Sequence, residues 1–224
     1  GKALDEVITD RRHRQLPPWT IHELVDEIEP LAKALGVVHR RGVSHRDIKP
    51  ANIFLVGYPQ EKHVKLLDFG IAKVVSSAAE LGAATANTRG AVSSFSPWYG
   101  APEQFSREYG ATGPWTDVFA FALVLVEMLG LRDPLEGDTI GAVAQKSIST
   151  ELRPTPRSLG IEVSDAVEAV FAKALAVDTT ARFQTAGQMW SALRDAIGRP
   201  EASRAEASML GDRSFLDLPS EARN

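Results

Sequence analysis

Apolar residues at Ile21, Leu24, Val25, Ile28, Leu31, Ala32 and Leu35 fall at helical spacing. The segment after Thr20 therefore predicts an amphipathic helix with one buried face. Thr20 and Glu23 stand in the order of a capping box at its start. Pro30 sits inside the stripe and predicts a kink, because proline removes a backbone donor. Gly42 supplies a stop. Residues 1–19 carry no sustained period and close on Leu16-Pro17-Pro18-Trp19, a loop signal. Ile53-Phe54-Leu55-Val56 and Val64-Lys65-Leu66-Leu67 predict two short strands around the turn Gly57-Tyr58-Pro59. From 115 to 129 the apolar residues run all round, which predicts a buried central helix capped near Thr116 and stopped at Gly130. Further helices are predicted over 139–149, 165–176 and 186–197, the last opened by Thr185 and Gln188 and stopped at Gly198. Residues 76–96 are small and aperiodic, a long functional-type loop. From Arg199 to the end the chain is poor in large apolar residues and reads as a polar tail or linker. The pattern is mainly α with one small β-hairpin.

Composition narrows the function classes. The 224 residues carry a net charge of −4, so no global field draws the chain to nucleic acid or anionic membrane. No basic run with interleaved aromatics supports nucleic-acid binding. There is no cysteine, which excludes a disulfide framework, a thiolate nucleophile and a cysteine zinc site. A cytoplasmic location is expected. The most apolar run, 118–126, is far short of the ~20 residues a bilayer helix needs, so no membrane segment is expected in this chain, and a membrane anchor elsewhere in a parent protein stays open. The N-terminus has neither an initiator Met nor a signal-peptide pattern, which raises the expectation that the chain begins inside a longer protein.

The chemistry is concentrated in three strings. His45-Arg46-Asp47-Ile48-Lys49-Pro50-Ala51-Asn52 is followed by Asp68-Phe69-Gly70 and then by Ala101-Pro102-Glu103. Each short triplet alone is weak. The full first string and the order of the three are specific. On these residues the chain resembles the C-terminal lobe of a protein kinase of the bacterial serine/threonine type, over roughly residues 1–198, with 199–224 as the tail.

The resemblance implies an ATP- and Mg²⁺-dependent transfer of phosphate to Ser or Thr of protein substrates, the chain itself among them. Asp47 would accept the substrate hydroxyl proton, and Lys49 would offset charge on the transferring phosphoryl group. Asn52 and Asp68 would hold Mg²⁺ through hard oxygens. Ser96 matches a hydroxyl that bonds the catalytic Asp and Lys. Phe54 matches the floor of the adenine pocket, with simple core packing an equal reading. Arg46 would pair with a phosphate on the activation segment, for which Thr85, Thr88, Ser93 and Ser94 are candidates. His45 is expected as packed scaffold, and Asp117 as acceptor of catalytic-loop N–H groups. Glu103 and Arg182 are expected as a buried ion pair, whose breakage would cost ~3–5 kcal/mol.

Two departures qualify the resemblance. Phe119, Ala120 and Ala122 stand where the family pattern has Trp, Ser and Gly, changes that suit a packed helix. More consequentially, Gly1, Gly36 and Gly42 are the only glycines ahead of Asp47, so no G-x-G-x-x-G precedes it, and no Val-Ala-x-Lys string does either. A kinase uses both. The expectation is an absent N-terminal lobe and negligible activity of the isolated chain, with a pseudokinase-like binding module as the alternative. A small-molecule phosphotransferase ranks last, because such enzymes lack the Asp-Phe-Gly and Ala-Pro-Glu strings.

Overall fold

The apolar run at the middle of the chain is the axis of the fold. In the computed structural model, which describes residues 1–57, 63–68 and 95–198, it forms a helix, Pro114–Gly130, in which every residue from Thr116 to Leu129 is buried. Two of those residues, Asp117 and Glu127, are carboxylates. Burying them requires partners, and those partners organise the rest of the molecule.

In chain order the described elements are β1 (Lys2–Ala3), α1 (Leu4–His13), α2 (Ile21–His39), β2 (Ile53–Val56), β3 (His63–Leu66), α3 (Pro102–Phe105), α4 (Pro114–Gly130), α5 (Ile140–Ile148), α6 (Asp165–Ala174) and α7 (Ala186–Ala196), with short 3-10 turns between them. Helices α2, α6 and α7 pack with α4 around one apolar core. The α2–α7 crossing is close because both helices carry glycine there. A Cβ added to Gly36 would meet the Gly187 Cα at 3.2 Å.

Several boundaries differ from the sequence reading. The predicted hairpin is part of a three-stranded antiparallel sheet in the order β1-β2-β3. Lys2 and Ala3 pair with Leu55 and Phe54, and β3 starts one residue early, at His63. Residues 4–13, expected as irregular, form α1. Leu4, Val7 and Ile8 bury one face, Asp5 and Glu6 sit in the first turn and Arg11, Arg12 and His13 in the last, a charge order that suits the helix dipole. Helix α2 has its Thr20–Glu23 capping box and runs from Ile21 to His39 through Pro30 as one helix. Helix α4 is capped at Gly113. Thr116, expected at the cap, is at the third helical position, where its Oγ1 accepts the Gly113 N–H at 3.0 Å. At α7, Thr185 Oγ1 accepts the Gln188 N–H, but Gln188 Oε1 accepts from Gln184 rather than returning to Thr185. Gly42 and Gly198, expected as stops, take positive φ of 72°. The expected tail over 199–224 lies outside the described residues.

Candidate active site

The loop Val43–Lys49 is shaped from below by Asp117. The Asp117 carboxylate accepts the backbone N–H of His45 at 2.6 Å and of Arg46 at 2.7 Å. Arg46 has a positive φ of 64°, a region that strains a side-chain-bearing residue, and its carbonyl accepts from Gln104 Nε2 at 3.0 Å. His39, at the end of α2, also reaches Asp117, with Nε2 at 2.9 Å. The other ring nitrogen, Nδ1, accepts the Ala186 N–H at 3.0 Å. Nδ1 therefore carries no hydrogen, and Nε2 is the donor. His39 thus ties the start of α7 to the residue that shapes the loop. The sequence offered no sign of it, since its partners lie at 117 and 186.

Above Asp117 the loop brings four of the expected site residues together. Asp47 Oδ1 accepts the Ser96 N–H at 2.9 Å. Lys49 Nζ donates to Ser96 Oγ at 2.7 Å and stands 3.3 Å from Asp47 Oδ2. Asn52 Nδ2 donates to the Asp47 carbonyl at 2.9 Å and to Asp47 Oδ2 at 3.4 Å. The side chains of Asp47 and Lys49 keep partial access to solvent, so the cluster is a wall facing outward. Chemically it is a carboxylate able to take a proton, a cation beside it, and donors that hold both in place.

Asp68 is fixed through its neighbour. The Leu67 N–H donates to the Asn52 carbonyl at 2.8 Å, and the Leu67 carbonyl accepts from His45 Nε2 at 2.8 Å. His45 is fully buried, and its Nδ1 accepts the Asp47 N–H at 3.3 Å. Both ring nitrogens of His45 are thus used to join Asp47 to the end of β3. Asp68 itself is exposed, with a positive φ of 54°. Asn52 turns its amide nitrogen to Asp47, which leaves the amide oxygen for a ligand. Among the described residues no group of three His, Cys, Asp or Glu could hold a metal alone. One carboxylate and one amide oxygen suit Mg²⁺, which takes its other ligands from water and phosphate. Phe54 stands apart, half-buried on β2 between Ala3 and Lys65.

Two further groups brace the site. Glu103 and Arg182 form a bidentate pair at 2.8 and 2.9 Å, both side chains fully buried. Thr116 Oγ1 donates to Glu103 at 2.7 Å, while the Arg182 guanidinium also donates to the carbonyls of Ala176 and Val177. The second group includes residues that sequence reasoning did not single out. Tyr99 donates its hydroxyl to Glu127 at 2.6 Å, and Arg12 reaches Glu127 and Asp133, each at 3.0 Å. Burial pushes the Glu127 carboxyl up to about 7, against the Tyr99 bond and the Arg12 charge, which lower it. Burial and the Glu127 charge push the Tyr99 phenol far above its usual range.

Arg46 directs its Nε to Ser44 Oγ at 3.4 Å. Phe69, Gly70 and the candidate phosphosites Thr85, Thr88, Ser93 and Ser94 lie outside the described residues.

Comparison with known proteins bears on the family and the fold. The profile of the protein kinase domain matches residues 1–192. The chain is 35% identical to a probable serine/threonine-protein kinase of Clostridium perfringens, over 98% of this chain and 30% of that protein. It is 30% identical to the serine/threonine-protein kinase PknH of Mycobacterium tuberculosis, over 98% of this chain and 32% of that protein. A crystal structure of the M. tuberculosis PknI kinase domain matches with a TM-score of 0.60 at 21% identity, covering 88% of this chain and 62% of that one. The likeness to PknI speaks to the fold alone. The chain spans about a third of the length of these curated relatives. Among the described residues no helix is long and apolar enough to cross a membrane. By its family profile and its relatives, this chain belongs to the protein kinase family and groups with the bacterial serine/threonine-protein kinases.

Proposed function

We propose that the chain carries the phosphoacceptor and metal side of an enzyme that moves the γ-phosphoryl group of ATP to Ser or Thr hydroxyls of proteins. Residues 1–198 would be its C-terminal lobe and 199–224 a tail. The observation that carries the reading is the Asp47–Lys49–Ser96 triangle, closed by Asn52 and held by Asp117.

Asp47 orients the acceptor hydroxyl and takes its proton on a carboxylate oxygen as the hydroxyl oxygen bonds to the γ-phosphorus, the bond from that phosphorus to the β–γ bridging oxygen breaks, and ADP leaves. Lys49 carries its positive charge beside Asp47 and offsets negative charge on the transferred group. Ser96 keeps both in place through one N–H and one hydroxyl. Asn52 and Asp68 would hold Mg²⁺, whose role when bound is to neutralise phosphate oxygens. Phe54 would form the floor under the adenine. Arg46 would receive a phosphate placed on the activation segment by autophosphorylation at Thr85, Thr88, Ser93 or Ser94. A site that consumes ATP belongs on the cytoplasmic side.

Residues 1–46 contain neither a G-x-G-x-x-G cradle nor a Val-Ala-x-Lys string. We therefore expect the 224 residues by themselves to transfer phosphate negligibly, with those parts supplied by another segment. The same observation favours the second reading, a non-catalytic binding module. Intact mass after incubation of this chain with Mg-ATP tests the first point. No gain is expected for the wild type or for Asp47→Asn. A gain in steps of one phosphate that vanishes in Asp47→Asn would show that the chain is active alone.

A further inference from the structure

Helix α7 ends in the wall of a groove. Its last residue, Ala196, and the Ile197 that follows line an open cavity of ≈ 520 Å³. Trp19 and Ile21 line it from the start of α2, and Ile161 and Val163 from the approach to α6. We propose that this groove is a docking site for the apolar segment Phe215-Leu216-Asp217-Leu218 of the same chain. The proposal stands apart from the phosphotransfer reading, because the groove shares no residue with the Asp47 cluster.

The walls suit a peptide. Ile21, Ile161, Val163 and Ile197 pack against the main core yet are only partly buried. Apolar surface of the core thus continues into the groove and meets water there, and covering it is favourable. The cavity falls in the range of roughly 300–1,000 Å³ in which proteins hold compact ligands. Trp19 adds a polar demand. It is 3% exposed, and its indole N–H has no acceptor among the described residues. A buried donor left unpaired is costly. A backbone carbonyl is an acceptor that a peptide brings and a hydrocarbon does not.

The occupant is argued from where the described chain stops. Ile197 is in the wall, and Gly198 follows it with a φ of 72°. The chain therefore leaves the described fold at the groove itself, and residues 199–224 lie beyond it, outside the described residues. Their large apolar residues are Met209, Leu210, Phe215, Leu216 and Leu218, the last three within four positions. Helical or extended, the connection from Gly198 to Phe215 reaches about 25 Å or more, enough to bring the segment back over the wall. A tethered segment meets its groove at an effective concentration of about 1 mM. An intrinsic affinity of about 0.1 mM then keeps the groove about nine-tenths filled, and a free partner has to displace the tether.

The absence of cysteine makes the test clean. Ser220→Cys gives the full chain a single attachment point for a nitroxide spin label, just after Leu218. The measurement is the height of the backbone N–H signals of the isotopically labelled chain, with the nitroxide oxidised and then reduced. Docking predicts that His22, Val163 and Ser164, all on the groove, lose their signals in the oxidised state and regain them on reduction. The loss should not change on about 10-fold dilution, as a tether requires. Phe215→Asp with Leu218→Asp, added to the same labelled chain, should restore the signals while leaving the sequence of the core untouched. Val163→Asp should abolish docking from the other side, read as restored His22 and Ser164 signals, with circular dichroism to check that it folds. If it does not fold, the tail substitutions still decide. Loss that survives Phe215→Asp with Leu218→Asp, or that survives in a folded Val163→Asp, is what a tether without this docking gives and would overturn the proposal. Full signals in the oxidised chain would overturn it too and leave the groove to another partner. Loss seen only when spin-labelled chain is mixed with isotopically labelled chain that carries no nitroxide would assign the groove to a second copy instead.

Discussion

Helix α4 buries two carboxylates, Asp117 near its start and Glu127 near its end, and it treats them differently. Asp117 is met by two backbone N–H groups, from His45 and Arg46, and by the ring of His39. Backbone donors are held by the chain itself, so they give a fixed shape to the loop above them. Among the described residues, Glu127 is met only by the tips of side chains, the Tyr99 hydroxyl and the Arg12 guanidinium. These come from distant parts of the chain and leave the carboxyl short of full compensation, so burial wins and lifts it to about 7. The lesson is that a buried charge can act as a template or as a clasp, and the donor type decides which. Asp117 templates the loop over 43–49. Glu127 clasps the turn after Ser96 to α1 and α4.

The comparison can be broken first at its strong end. Asp117→Ala leaves two N–H groups and the His39 donor without an acceptor in the core, each worth about 1–3 kcal/mol. A loss of about 3–5 kcal/mol in urea unfolding is expected, and hydrogen exchange at His45 and Arg46 should rise together. Arg182→Ala gives the scale for an ordinary buried pair. It strands the Glu103 carboxylate and should also cost about 3–5 kcal/mol.

The weak end is sharpened by pH. The folded Glu127 carboxyl holds its proton up to about 7, whereas the same group in the unfolded chain releases it near 4.5. Between those values the folded state binds more protons, so stability falls as pH rises from 4.5 to 7 and then levels. The Glu127 contribution to that fall is about 3 kcal/mol. Glu127→Gln should remove it, so the difference in unfolding free energy between the variant and wild type should change across this window and be flat above it. A difference curve with no pH dependence would remove the clasp account. Tyr99→Phe is the smallest change. It deletes a bond that lowers the Glu127 carboxyl, so the window should extend to higher pH, at a stability cost of about 1 kcal/mol.

The same contrast explains how much could be read without coordinates. Local signals were legible: the catalytic-loop string, the capping box at Thr20 and the all-round apolar run of α4. Strand β1 was not, because two residues carry no period and its partner is Phe54-Leu55, far along the chain. Helix α1 was missed because Leu4, Val7 and Ile8 cover little more than one turn. His39 and Glu127 carry no local signal. Each is defined by partners that only the tertiary structure brings near. Asp117, Glu103 and Arg182 were nameable through the family resemblance. No local pattern singles them out.

The most direct measurement is phosphoryl transfer by this chain supplied with a segment that carries a glycine-rich cradle and its lysine, followed as intact mass with Mg-ATP, in wild type and Asp47→Asn. The account predicts mass gained in steps of one phosphate by the wild type and none by the variant. Failure of the wild type to gain mass or label a Ser/Thr substrate, or equal gain in Asp47→Asn, would contradict it.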